Sequence, residues 1–310
     1  MFASRSLVFG SLVATGVAIV VACSSDISTI DTPALPDAAS KDSGGGKDTS
    51  PPRDSSTTDP DASDSSTINP DASDAAPSSV VYAHSPDTLF TYDVLTQTLA
   101  PVAKFGGLTN QAIDLAVDEN GNGYLTTFDG FFSVDLTNAV CTLISKGNSY
   151  PNSLSFVPKG TLDPSAEALV GYSGSNYLRI DTTTGKITNV GSLSNGFASS
   201  GDVVSVKGGG TFLTVTGNGC GDCLLQVDPV TGNVIQNYGD VKHKSVYGIA
   251  YWGGVVYGFD GVGNVFSVIS SGNGITVTDL EQDAGAIWYG AGSTTNAPVH
   301  AADGGGISIK

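Results

Sequence analysis

Three groups of side chains in this sequence have the types and spacing that could do chemistry. Cys220-Gly-Asp-Cys223 has the CxxC spacing of a redox pair. Redox pairs of that kind sit at a helix N-terminus, which lowers the thiol pKa. Here the motif lies between VTGNG and LLQVD, in a turn between two alternating apolar runs. A disulfide pinning that turn is the reading adopted, with free or metal-bound thiols and redox catalysis as the alternatives. Asp118 to Gly123, DENGNG, matches the D-x-N-x-N-G opening of a calcium loop, with Asp129 at its twelfth place. No helix pattern flanks it, so it is read as a hairpin turn, and calcium held by Asp118, Asn120 and Asn122 is the alternative. The three histidines, His84, His243 and His300, are far apart in sequence. No HExxH, no G-x-S-x-G elbow and no carboxylate pair at a repeated spacing accompanies them. They are read as ordinary core or surface residues. No catalytic residue and no cofactor is assigned.

The elements that must position these residues are strands. Glu, Lys, Arg and Met are scarce, whereas Thr, Val, Gly, Asn and Ser are common, a balance that favours strands and turns. A phrase recurs: LFTYDVLTQTL from Leu89, FFSVDLTNAVCTL from Phe131, YLRIDTTTGKITNV from Tyr177, LLQVDPVTGNVIQN from Leu224 and VFSVISSGNGITV from Val265. The starts are 42, 46, 47 and 41 residues apart. A period near 44 is the span of one four-stranded propeller blade. Each unit reads as strand A, strand B, strand C ending in Asp, a Thr-Gly turn and strand D. Asp93, Asp135, Asp181 and Asp228 end strand C and cap the turn; the fifth copy has Ile269 there. Cys141 falls in a strand D and is read as a buried small apolar residue.

The ends of the array are unequal. Only VVYAHS precedes the first phrase, one strand short, and AIWYGAG follows the last, one strand to spare. The expected fold is therefore all-β: a propeller of five four-stranded blades over 80–310, closed by pairing of its N- and C-terminal strands, with six blades as the alternative if the tail GGGISIK belongs to a degenerate blade. The phrases resemble the repeats of NHL, YVTN-like and quinoprotein-like propellers. That resemblance implies an architecture and no single activity. Enzymes among such propellers use His, Arg or Glu on the central channel, a palette nearly missing here, where the repeat region has a single Arg, Arg179.

The chain before the repeats is of a different kind. Arg5 precedes an apolar stretch from Leu7 to Ala22, short for a bilayer span. Val20-Val21-Ala22-Cys23 resembles the lipobox of bacterial lipoproteins. The resemblance implies that residues 1–22 are a signal peptide, that cleavage precedes Cys23, and that Cys23 is lipidated, including by palmitate. An ordinary cleaved signal and an uncleaved single-span anchor are the alternatives. Ser24 after the cysteine resembles the sorting pattern of outer-membrane lipoproteins. Residues 23–79 hold eleven Asp, many Ser, Thr, Ala and Pro, and no aromatic residue. Such a segment buries too little apolar surface to offset chain entropy and is read as a disordered tether. As a flexible coil it reaches roughly 40 Å.

The formal net charge of −17 repels phosphate backbones and argues against a nucleic-acid partner. The residues leading into each strand A line one mouth of a propeller: LTNQ, YPNS, SSGD, SVYG and DAGA. Asn110, Asn152, Asp202 and Tyr247 are the ligand-binding candidates, with Trp252 and Trp288 nearby. Amides and aromatic rings suit sugar or peptide ligands. The sequence is read as a monomeric, lipid-anchored binding module of the bacterial cell envelope, at the outer membrane or cell surface, whose partner is an envelope protein, peptide or glycan. The rival is a propeller hydrolase or lyase acting on a polysaccharide or small lactone.

Overall fold

The structure, a computed structural model, describes residues 78–300 apart from positions 148 and 273. The expected signal peptide, Cys23 and the tether as far as residue 77 lie outside the described residues, as does the tail 301–310.

Twenty strands form five four-stranded antiparallel sheets. The first blade contains β1 (Val80–His84), β2 (Thr88–Asp93) and β3 (Thr98–Lys104). The second is β4 (Ala112–Val117), β5 (Gly123–Thr127), β6 (Gly130–Asp135) and β7 (Val140–Lys146). The third is β8 (Ser155–Val157), β9 (Ala168–Ser173), β10 (Asn176–Ile180) and β11 (Ile187–Ser192). The fourth is β12 (Ala198–Val206), β13 (Gly210–Gly217), β14 (Cys220–Val227) and β15 (Val234–Asp240). The fifth is β16 (Val246–Trp252), β17 (Val255–Asp260), β18 (Val265–Ser271) and β19 (Gly274–Glu281). The last strand, β20 (Gly290–Gly292), joins the first blade as its inner strand, pairing with β1 so that His84 faces Gly290 and Tyr82 faces Gly292. The fold is the five-bladed propeller that the repeat predicts, closed by its two ends.

Burial explains the residue pattern along each blade. Inner and middle strands are covered on both faces and read as continuous apolar runs; β17, VVYGFD, is buried at every position. Outer strands such as β3 hold only half-buried and exposed residues. Five apolar clusters fill the five gaps between neighbouring blades. The core is thus radial, with Trp288, Tyr92 and Phe259 between blades five and one, and Phe131, Leu154 and Leu169 between blades two and three. Each fully buried side chain of this size contributes roughly 1.5–3 kcal/mol.

The turn aspartates act as the sequence predicts. Asp93 accepts from the N–H groups of Leu95 and Thr96, Asp181 from Thr183 and Thr184, and Asp228 from Val230. Asp118 folds back on its own hairpin, accepting from the N–H groups of Asn120 and Asn122. Beyond β20 the chain crosses the face opposite the strand A lead-ins. There Ser293 accepts from Tyr251 N–H, Thr295 C=O from Lys207 N–H, and Pro298 C=O from Gly253 N–H, while the Thr295 hydroxyl donates to Glu167. Residues 293–298 are thereby stitched to hairpins of the third, fourth and fifth blades on that side.

Candidate functional site

A cavity of about 470 Å³ opens at the other mouth, lined by Ile113, Thr127, Phe128, Tyr150, Asn152, Ser173, Ser200, Gly201, Tyr247 and Tyr289. Five of these, Ile113, Asn152, Gly201, Tyr247 and Tyr289, enter the mouth at matching points, one from each blade. In three blades a break in the strand ladder aims them. Pairing between β4 and β5 skips Ile113, pairing between β16 and β17 skips Tyr247, and pairing between β12 and β13 skips 200–202. A bulge leaves one residue out of register and turns its side chain out of the sheet, a common device beside binding sites. The backbone groups freed by the bulge at 200–202 find other partners: Asp202 N–H donates to Thr214 Oγ1, which donates in turn toward Val246 C=O. Gly201 packs so closely against Val246 that a Cβ would overlap its carbonyl oxygen.

One residue further along the inner strands lies a carboxyl pair. Asp114 and Asp202 are completely buried. Asp114 accepts from Leu115 N–H at 2.8 Å and from Leu154 N–H of the third blade at 2.5 Å. Asp202 accepts from Val203 N–H at 2.6 Å and from Ile249 N–H of the fifth blade at 2.8 Å. Burial pushes both pKa values up, and the charge of Asp202 adds to the rise at Asp114. Burial thus favours the protonated form at this pair. His84 lies beside them, wholly buried, with Nδ1 donating to Ser85 C=O at 2.9 Å. That bond leaves Nε2 as the unprotonated nitrogen, without a partner. Burial lowers the His84 pKa to about 4, so the ring is neutral. Gly290 fits between Asp114 and His84 because it has no Cβ; one would overlap both.

The sequence-predicted residues are divided by this geometry. Asn152 and Tyr247 line the mouth, whereas Asp202 is sealed beneath it. Asn110 lies in a separate depression with Pro86, Phe105 and Gln111. Trp252 and Trp288 do not reach the mouth, a correction to the expectation from sequence. Both are buried in the apolar layer between the fifth and first blades, and Trp252 Nε1 donates to Ser78 C=O at 2.8 Å. Their large apolar surface is better covered there than at a wet rim. Phe128, Tyr150, Ser200 and Tyr289 are mouth residues that sequence reasoning missed. Tyr289 had a findable signal, because WYGAG matches SVYGI when the last lead-in is moved toward the C-terminus by a few residues.

Cys220 and Cys223 are joined, with Cα atoms 5.6 Å apart, at the start of β14. Asp222 between them accepts from Ser200 Oγ at 2.7 Å and from Ser245 N–H at 2.9 Å, tying this hairpin to the mouth. Cys141 is buried and its thiol is pushed up to about 12 by desolvation. Asp118 and Asp129 stand at opposite ends of β5, and Asp129 is engaged by Thr127 and Thr109. Among the described residues no group of three or more His, Cys, Asp or Glu is placed to hold a metal ion.

No protein-family model matches the chain, and no curated protein matches it. Among solved structures, Kuenenia stuttgartiensis hydrazine synthase is similar at 15% identity, over 65% of this chain and 62% of that one, with a TM-score of 0.37. A likeness at that level bears on neither activity nor ligand.

Proposed function

We propose that the chain is a monomeric, lipid-anchored β-propeller of the bacterial cell envelope that binds an envelope protein, peptide or glycan through the mouth lined by Tyr247 and Tyr289, without catalysing a reaction. The observation that carries this reading is the contrast between the mouth and the layer below it. The lining is neutral polar and aromatic. The two nearby carboxyls that a hydrolase would need are wholly buried, and their four oxygens are committed to backbone N–H groups. A general acid or base must reach its substrate within hydrogen-bond distance. The chain direction fits a tether as well. Ser78 leads into β1, which runs from there toward His84 beneath the mouth. The described chain thus begins on the side of the ring opposite the mouth.

The test is a binding screen of envelope glycans, peptides and proteins against the full-length lipidated protein and its Tyr247→Ala/Tyr289→Ala double variant. A ligand bound by the parent protein and lost in the variant, unchanged on recovery, supports the reading. Ligand converted to product, or binding indifferent to both tyrosines, sinks it.

A further inference from the structure

We infer that the group recognised in the mouth is an organic ammonium cation. The inference rests on the reading of the mouth as a ligand site and adds the chemistry of what enters it.

The hydrogen bonds of the wall point one way. Thr127 Oγ1 donates to Asp129 Oδ1 at 2.7 Å, Ser200 Oγ donates to Asp222 Oδ1 at 2.7 Å, and Tyr150 OH donates to Gly185 C=O at 3.1 Å. The amide nitrogen of Asn152 reaches Gly201 C=O at 3.4 Å, which leaves its amide oxygen for the cavity. A hydroxyl has one hydrogen to give and two lone pairs to offer. With their hydrogens directed into the wall, Tyr150, Ser200 and Asn152 present acceptors to a ligand, while the hydroxyls of Ser173, Tyr247 and Tyr289 can give or accept. A guest rich in donors is favoured by the first three of these groups.

The aromatic lining agrees. Phe128 is 63% exposed and Tyr247 is 38% exposed, and Tyr247 and Tyr289 meet edge to face with centroids 6.2 Å apart. Exposed ring faces attract ammonium groups through the negative face of the π system. The field behind the wall has the same sign. Asp129 and Asp222 each stand one hydrogen bond behind a lining hydroxyl, no Lys or Arg lines the cavity, and the chain as a whole carries −17. An acidic protein with a neutral, acceptor-rich cleft concentrates cations at its mouth. A saccharide hydroxyl offers two lone pairs for each hydrogen it gives, so a saccharide gains less from this arrangement than an ammonium group, which only donates. The volume, about 470 Å³, is that of a small-ligand site. The ammonium can be a free amine or the side chain of a lysine in a peptide, since both present the same head group.

The test is calorimetric titration of the full-length protein with n-butylammonium, with butyltrimethylammonium, with a lysine-bearing peptide and its acetyl-lysine counterpart, and with two neutral saccharides, glucose and N-acetylglucosamine. The expected result is saturable binding of the cationic probes that weakens as salt is raised. Tyr247→Ala should weaken it tenfold or more, whereas Tyr247→Phe, which keeps the ring, should hold it within about threefold of the parent. Binding of the lysine peptide but not of its acetylated form, well above the free amines, identifies a protein-borne source; equal binding of the free amines identifies a small molecule. If a saccharide binds in a Tyr247-dependent manner and the ammonium probes do not, the cation inference is overturned while the mouth remains a binding site. If no probe of either kind binds and the tyrosine variants retain every ligand found in the envelope screen, both readings fall.

Discussion

Two sets of aspartates in this ring share a residue type and differ in almost everything else. Asp93, Asp135, Asp181 and Asp228 sit on the turns between the two outer strands of a blade. Asp114 and Asp202 sit at the inner strands, buried completely. The hydroxyls and N–H groups of Thr137 and Thr184 lower the pKa of Asp135 and Asp181. Burial raises the inner pair. A turn carboxylate organises five or six residues of one blade. An inner carboxyl ties two neighbouring blades together, β4 to the lead-in of β8 and β12 to β16. The same side chain is a local cap at the rim and a long-range fastener at the centre.

The largest effect that would break this contrast belongs to the centre. Asp114→Ala leaves the N–H groups of Leu115 and Leu154 buried without acceptors, and urea unfolding should show a loss of about 2–5 kcal/mol. A loss under 1 kcal/mol would mean that the inner carboxyls are spectators. The next effect is on pH dependence. Carboxyls with a raised folded pKa favour the fold when protonated. Their contribution is complete below the ordinary carboxylate pKa of 3.8 and is lost as pH rises through the raised folded values. Asp135 and Asp181, with depressed values, contribute above the ordinary pKa and lose that contribution as pH falls through the folded one. Thermal melts should therefore show stability falling as pH rises from about 4 to about 8, a decline that Asp202→Asn flattens. A decline over that range unchanged by the substitution would place its origin elsewhere. The smallest effect belongs to the rim. Asp228→Ala removes bonds to Val230 N–H and the Thr231 hydroxyl near solvent and should cost about 1 kcal/mol in the same urea experiment. A loss as large as that of Asp114→Ala would erase the distinction.

The contrast also explains what could be read in advance. The turn aspartates recur in four of five phrases at a fixed place after an apolar run, so their role is visible as a repeat. Blade number and closure by the last strand were legible for the same reason, since a missing strand at one end matches a spare one at the other. Asp114 and Asp202 occur only in the second and fourth blades, where Ser153, Gly248 and Gly290 hold the matching positions of the others. An alternating feature of a five-fold ring has no period in the sequence. The mouth was half legible. Asn152 and Tyr247 follow from their place before strand A, but the bulges at Ile113, 200–202 and Tyr247 shift the register that would align the rest. Trp252 and Trp288 were misplaced because ring size says nothing about which side of a blade a residue faces.

The pairing of β20 with β1 has a consequence for the order in which the protein is made. Blade one receives two of its neighbours at once and its inner strand last of all. Throughout synthesis, β1 stands as an open edge until β20 is made. An unpaired strand edge invites pairing with other chains. The time between the emergence of Val80 and that of Gly292 is thus the interval in which this propeller is most exposed to misassembly.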